Sequence, residues 1–261
     1  PTMSSPQIAI IGAGFGGLAA AIELKRAGND SFTIFERASE VGGVWQANSY
    51  PGAACDVPSV TYQFSFALNG SWSRRYGKQE EIRDYLRDTS VQFGVRDHIR
   101  FNTAVESARF DESSDRWTVT LDGGESAQFD IVIAATGQLS RPNKPDVPGH
   151  DDFTGAQFHS AEWDHDVDLR GKRVAVVGGG ATAIQVVPAI AEQAEHLTVV
   201  QRTPSWVVNK YDWSPVWLER VQPLQRAYHN LMWLWFESRY PAVLRSSRPI
   251  RAAWEWQRKR T

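Results

Sequence analysis

Gln7-Ile8-Ala9-Ile10-Ile11-Gly12-Ala13-Gly14-Phe15-Gly16-Gly17 is the stretch on which the fold turns. Residues 7–11 form a short apolar run of the kind found in buried parallel strands, and the alanine-rich segment Leu18–Ala27 reads as a helix. The glycines between them are spaced Gly-x-Gly-x-x-Gly, with the strand before and the helix after that give this motif its meaning. Gly12 permits a tight turn, Gly14 lets the backbone approach a pyrophosphate, and Gly17 allows helix and strand to pack closely. The phosphates would rest on the helix N-terminus, where unpaired N–H groups and the helix dipole favour anions. A second strand, Phe32–Phe35, ends at Glu36, whose carboxylate can accept hydrogen bonds from ribose hydroxyls. Phe15, Glu36 and Arg37 join the three glycines as expected dinucleotide contacts.

The unit is repeated. Arg173–Val177 is a second apolar strand, Gly178-Gly179-Gly180-Ala181-Thr182-Ala183 follows as Gly-x-Gly-x-x-Ala, and a helix is expected over Ile184–Ala194. The next strand, Leu197–Val200, leads into Gln201-Arg202-Thr203. Glu36 lies 24 positions after Gly12, and Arg202 the same 24 after Gly178. One structural slot therefore holds a carboxylate in the first unit and a guanidinium in the second. A carboxylate repels a 2′-phosphate, whereas a guanidinium clamps one through paired hydrogen bonds. The first unit is thus expected to hold FAD and the second NADPH. Gly178, Gly180, Ala181, Thr182, Ala183, Gln185, Arg202 and Thr203 are its expected contacts. The expected fold is α/β, with two Rossmann-like dinucleotide-binding domains.

Between the units, Lys78–Phe93 has one apolar face and reads as a helix. Three strand-like runs follow, Ile99–Phe110, Arg116–Leu121 and Phe129–Ala134, read as an inserted β-meander. Pro142, Pro145 and Pro148 then stiffen a connector. The expected boundaries are 1–140 for the FAD domain, 141–170 for the linker and 171–261 for the NADP domain.

Composition narrows the function. A net charge of −2 over 261 residues gives no reason to invoke nucleic acid. The single cysteine, Cys55, excludes a disulfide framework and a Cys-x-x-Cys redox pair, and suits a reducing, cytoplasmic setting. No metal site is expected.

Two segments have no helical or strand period. Gly42-Gly43-Val44-Trp45 leads through four residues to Tyr50-Pro51-Gly52 and then Asp56. Phe153, Gly155, His159, Trp163 and Asp164 are spaced Phe-x-Gly-x-x-x-His-x-x-x-Trp-Asp. Together these segments resemble the fingerprints of the Baeyer–Villiger monooxygenases, flavin enzymes that insert one oxygen atom beside a ketone carbonyl. The resemblance runs from about Gln7 to Val208. It implies that the first segment wraps the flavin, with Gly43, Val44, Trp45, Ala54, Cys55 and Tyr62 as contacts. It places Asp56 near the isoalloxazine and nicotinamide, Val105 at the adenine, and Thr136 beside the FAD. Asp56 and His159 are the candidate catalytic positions. His159 is expected to act as a hinge between domains and not as a base, since no partner acid is placed by the sequence. Cys55 is read as a small filler. The implied partners are a ketone and dioxygen, joined through a flavin C4a-peroxide to give an ester or lactone.

The family's active-site arginine, which works beside the aspartate, has no match in this sequence. A flavin-dependent N- or S-oxygenase shares both loops but lacks the Trp163-Asp164 ending. A disulfide reductase is rejected by the missing Cys-x-x-Cys. A non-catalytic nucleotide-binding half completed by another segment or chain stays open. Seven of the 11 tryptophans fall from Trp206 onward, and from Arg220 to the end nine Lys or Arg are opposed only by Glu237 and Glu255. A helix is expected over Pro223–Tyr240. Basic aromatic helices can lie on membranes, but the preferred reading is packing on protein beyond this chain, by a missing C-terminal segment or a complementing chain. Residues 1–261 alone are accordingly expected to be poorly soluble, to bind FAD weakly and to leave ketones unoxidised.

Overall fold

The structure, a computed structural model, describes residues 5–145, 147–205, 207, 212 and 220–244. Its first sheet is four-stranded and parallel, in the order β3 (Ile99–Arg100), β2 (Phe32–Phe35), β1 (Ile8–Ile11), β7 (Ile131–Ala134). Strand β1 (Ile8–Ile11) is central, paired with β2 (Phe32–Phe35) on one side and β7 (Ile131–Ala134) on the other. Helix α1 (Phe15–Arg26) crosses from β1 to β2 and buries Leu18, Ala21 and Ile22 against the strands. Ile10, Leu18 and Ile34 are wholly buried. Each contributes about 1.5–3 kcal/mol by leaving water. Short helix α2 (Val44–Ala47) and helix α3 (Gln79–Gln92) pack on this layer, with Ile82 and Leu86 buried.

The meander is real but is built from different residues than the periodicity indicates. Ile99–Phe110 is not one strand. Ile99–Arg100 forms β3 at the edge of the parallel sheet, and Val105–Asp111 forms β4 of a separate antiparallel sheet, β4-β5-β6. The break falls at Asn102, which takes the left-handed conformation (φ 52°) that asparagine tolerates better than most residues. Asn102 and Thr103 then spend their N–H groups on the carbonyls of Ala38 and Glu36. Phe129–Ala134 divides likewise. Phe129 ends β6 (Ser126–Phe129), which pairs with β5 (Arg116–Leu121), while Ile131–Ala134 crosses to the parallel sheet as β7. Asp130 makes the corner, exchanging hydrogen bonds with Gln7 through its backbone and its carboxylate.

The second unit is a two-stranded parallel sheet of β8 (Arg173–Val177) and β9 (His196–Val200), joined by α4 (Ala181–Ile190). This helix starts three residues earlier and ends four earlier than Ile184–Ala194. It begins as soon as Gly180 has made the turn. Pro188 inside it offers no N–H and crowds the carbonyl one turn back, and the helix stops two residues later. Helix α5 (Gln222–Leu244) follows; His229 and Gln225 are buried, and His229 Nδ1 lies 2.6 Å from the carbonyl oxygen of Val60. Leu231, Trp233, Leu234 and Trp235 on this helix are exposed. Trp206, Trp213, Trp217, Trp254, Trp256 and the basic residues from Arg245 onward lie outside the described residues. No described helix is long and apolar enough to cross a membrane. Among the described residues, no three His, Cys, Asp or Glu side chains are grouped to hold a metal ion.

Candidate functional site

Each glycine of the first loop meets a specific neighbour. Gly12 sits at φ +102°, and a Cβ there would stand 2.6 Å from the Ala135 carbonyl oxygen and 3.7 Å from the Thr136 Cα. A Cβ on Gly17 would stand 1.8 Å from the Gly12 carbonyl oxygen. Gly14 caps α1 with no side-chain hydrogen bond, and the first turn carries no acid, so the early N–H groups remain donors for an anion. Glu36 at the end of β2 is buried. Its carboxylate accepts the Ala13 N–H at 2.7 Å and the Ala38 N–H at 2.8 Å, which fixes it under the loop. Arg37 turns away and donates to the Ser140 carbonyl. The close glycine cradle, the uncapped helix and the buried carboxylate form a donor and acceptor set that fits a dinucleotide diphosphate and ribose.

The second loop shows the same design in a more open form. Gly178 takes φ +122°, and a Cβ on Gly178 or Gly180 would meet nothing within 4 Å. Gly180 caps α4 without a side-chain hydrogen bond, and no acid lies in the first turn. Thr182 and Ala183 fall in that turn. Arg202 and Thr203 are exposed just past β9. Open space over free helix N–H groups, with a guanidinium nearby, fits a phosphorylated dinucleotide.

The segment from Gly42 to Asp56 connects the two units. Gly43 is at φ +56° against Gly14, whose Cα a Cβ would approach to 3.2 Å, so two glycines let this loop touch the first one. Trp45 donates through Nε1 to the Tyr62 hydroxyl at 3.1 Å, and Tyr62 packs edge-on against Phe15. Burial pushes the Tyr62 hydroxyl above its ordinary pKa range, with the Trp45 hydrogen bond opposing, so Tyr62 stays neutral. Cys55 is buried and accepts the Val57 N–H on its Sγ. Asp56 is exposed, and Gln185 Nε2 donates to its Oδ1 at 3.5 Å. A cavity of about 500 Å³ lies here, lined by Asp56, Arg74, Tyr76, Ile184, Gln185 and Asp212 among others. Val105, at the start of β4, is not among its lining residues.

One member of this junction was given no role by sequence reasoning. The Tyr50 hydroxyl donates to Gln185 Oε1 at 3.0 Å and bonds Thr182. Burial raises its pKa, the Thr182 bond opposes, and the charge of Asp56 adds to the rise. Its fixed place in the Tyr-Pro-Gly segment was the available signal.

The Phe153–Asp164 stretch is held mostly by itself. The Phe153 ring folds over Gly155, where a Cβ would come within 2.6 Å of it. His159 Nδ1 accepts the Ala161 N–H and caps the short helical turn Ser160–Glu162. Phe158 and Trp163 meet edge to face at 5.1 Å, and Asp164 accepts the Asp166 N–H. Just beyond it, the Nε2 of His165 lies 2.8 Å from the Ser49 hydroxyl and ties the stretch to the segment before Tyr50.

Comparison with known proteins is consistent with this geometry. Residues 5–227 match the family model described as flavin-binding monooxygenase-like. A Baeyer-Villiger monooxygenase of Streptomyces coelicolor is 48% identical over 227 residues, covering 87% of this chain and 42% of that protein. A closed crystal structure of cyclohexanone monooxygenase superposes with a TM-score of 0.79 at 36% identity, covering 88% of this chain and 44% of the other. A crystal structure of OTEMO in complex with FAD and NADP gives 0.76 at 37% identity, covering 92% and 45%. The chain therefore spans less than half the length of the relatives it matches.

Proposed function

The chain belongs to the flavin-binding monooxygenase-like family, and from that membership we propose that it carries the dinucleotide sites of a Baeyer–Villiger monooxygenase, using FAD and NADPH to insert one oxygen atom beside a ketone carbonyl. The observation that carries this reading is the junction. The Tyr50–Asp56 loop, which follows the first nucleotide site, is hydrogen-bonded to the helix that opens the second, and both line one cavity. Bound FAD and NADPH would supply hydride transfer and dioxygen activation; the protein positions the groups and excludes water. Gly12, Gly14 and Gly17 with the N-terminus of α1 would receive the FAD diphosphate, and Glu36 the ribose. Gly178, Gly180 and the first turn of α4 would receive the NADPH diphosphate, and Arg202 with Thr203 the 2′-phosphate. Asp56, which lines the cavity, would stand toward the flavin and the nicotinamide as an acceptor. His159 shapes the linker between units. The single buried cysteine supports a cytoplasmic setting. The domain limits near residues 140 and 170 are part of the same reading.

The test is product analysis of flavin-loaded protein in which this chain is completed to the length of its relatives, given NADPH, labelled dioxygen and either a cyclic ketone or a tertiary amine. A lactone carrying one labelled oxygen is the expected product. An N-oxide with no lactone would assign the protein to the amine-oxidising relatives instead.

Arg202→Ala separates the two nucleotide sites. Removing a charged partner of a phosphate costs about 1.5–3 kcal/mol, so the KM for NADPH is expected to rise roughly ten- to a hundredfold while NADH use barely changes. Steady-state kinetics with both cofactors decides this. Equal weakening for the two would make Arg202 structural.

A further inference from the structure

We propose that Gln185 is a positioning residue: its side-chain amide clamps the Tyr50–Asp56 loop onto helix α4 and so sets where the Asp56 carboxylate stands. This deepens the functional reading above and rests on it.

The argument begins with valence. A primary amide has two acceptor lone pairs and two N–H donors. Gln185 Oε1 accepts from the Tyr50 hydroxyl at 3.0 Å and from the Ala54 N–H at 3.3 Å. Its Nε2 donates to the Ala54 carbonyl at 2.9 Å and to Asp56 Oδ1 at 3.5 Å. All four positions are used by the loop. A nucleotide could bond this amide only by displacing one of them, so a direct cofactor contact is the poorer role for Gln185.

Geometry adds a second reason. The paired bonds to Ala54 form a two-point contact like that between neighbouring strands. Its polarity fixes which end of the Gln185 amide is oxygen and which is nitrogen, and that sends an N–H, not a carbonyl, toward Asp56. The loop also lies directly on the helix backbone. Gly52 is at φ +82°, and a Cβ there would stand 2.5 Å from the Gln185 carbonyl oxygen and 3.1 Å from the Ala189 Cβ. Thr182, Gln185 and Ala189 are spaced to share one face of α4, and all three meet the loop, Thr182 through Tyr50. Thr182 belongs to the turn whose N–H groups await the diphosphate. Engagement of the second nucleotide and placement of Asp56 therefore act on the same two turns of α4. The other titratable groups around this cavity are Cys55, Arg74, Tyr76 and Asp212, and Arg74 is engaged by Asp212 at 3.5 Å.

Two measurements on flavin-loaded protein test the proposal, with Gln185→Ala and Gln185→Glu as variants. The first is hydrogen exchange of the Ala54 amide without pyridine nucleotide. Gln185→Ala removes its acceptor, and exchange is expected to quicken roughly tenfold. Gln185→Glu keeps an acceptor for Tyr50 and Ala54 but sets its second oxygen against the Ala54 carbonyl and the Asp56 carboxylate, so it is expected to lose protection as well. The second is anaerobic flavin reduction by NADPH in stopped flow. Both variants lose the N–H facing Asp56, and both are expected to lower the limiting rate about tenfold or more, with half-saturation by NADPH changed less than about twofold and flavin content unchanged. A rise in half-saturation at an unchanged limiting rate would make Gln185 a nucleotide ligand and overturn the proposal. Unchanged Ala54 exchange in Gln185→Ala would overturn it equally. If the unsubstituted protein holds flavin that NADPH cannot reduce, the functional reading fails, and the exchange result still judges the clamp.

Discussion

Gly17→Ala is expected to yield a protein that retains no flavin. The new methyl would stand 1.8 Å from the Gly12 carbonyl oxygen and 3.0 Å from its carbonyl carbon. Both are backbone atoms, and Gly12 has no room to retreat, because its own Cα side already faces the Ala135 carbonyl at the end of β7. Relief requires α1 to lift away from β1. That costs the packing of Leu18, Ala21 and Ile22 and turns the first N–H groups of the helix off the diphosphate. Overpacking of this kind typically destabilises by about 1–3 kcal/mol even where side chains can yield. Gly16→Ala is the control. Its Cβ would meet only the Ala135 Cβ, at an ordinary 3.8 Å, so flavin content close to the parent is expected. Absorbance of bound flavin after gel filtration reads both. Stoichiometric flavin in Gly17→Ala would show that the helix is not held where the structure places it.

The first unit was legible because its signals are local. Gly12, Gly14 and Gly17 report backbone conformation and close approach directly, and the apolar runs 8–11 and 32–35 are short enough to be strands on both faces buried. The corners of the meander were not legible. Asn102 and Asp130 interrupt runs that still look strand-like by composition, and what breaks them is hydrogen bonding to Ala38, Glu36 and Gln7, residues distant in sequence. No periodicity carries such partners. The helix of the second unit was displaced for a related reason. Its apolar composition continues past Pro188, so hydrophobicity alone cannot find the end. At the site, the matched offsets of Glu36 and Arg202 were readable, and both residues stand just past the second strand of their unit, β2 and β9. Junction geometry was not. Tyr50 and Gln185 are 135 residues apart and meet only because the loop folds onto α4. Even the Phe153–Asp164 stretch, conspicuous by its spacing, gains its shape from contacts within itself, which spacing alone does not describe.

Replacement of Glu36 should separate the ribose-accepting duty expected from the sequence from a structural duty that the sequence did not indicate. A ribose acceptor at the strand end need only touch the ligand, and its loss would then leave the empty protein intact. Here the carboxylate is 6% exposed and already accepts two backbone N–H groups, from Ala13 inside the glycine loop and from Ala38 beyond β2. Glu36→Ala leaves both donors without that partner, at about 1–3 kcal/mol each, and opens a void beside the loop. A loss of roughly 2–5 kcal/mol is therefore expected in protein stripped of flavin, measured by urea unfolding. Flavin affinity is expected to fall at least about a hundredfold, because the proposed ribose contact would be lost and the Ala13 turn is no longer held. Glu36→Gln is not a rescue. Its amide offers one oxygen where two N–H groups converge, so one donor would face an NH2 group, and most of the destabilisation should persist. Stability of the stripped Glu36→Ala protein within about 0.5 kcal/mol of the parent would confine Glu36 to the ribose. A large loss in both measurements would mean that the residue proposed to read the first nucleotide also builds the loop that receives it.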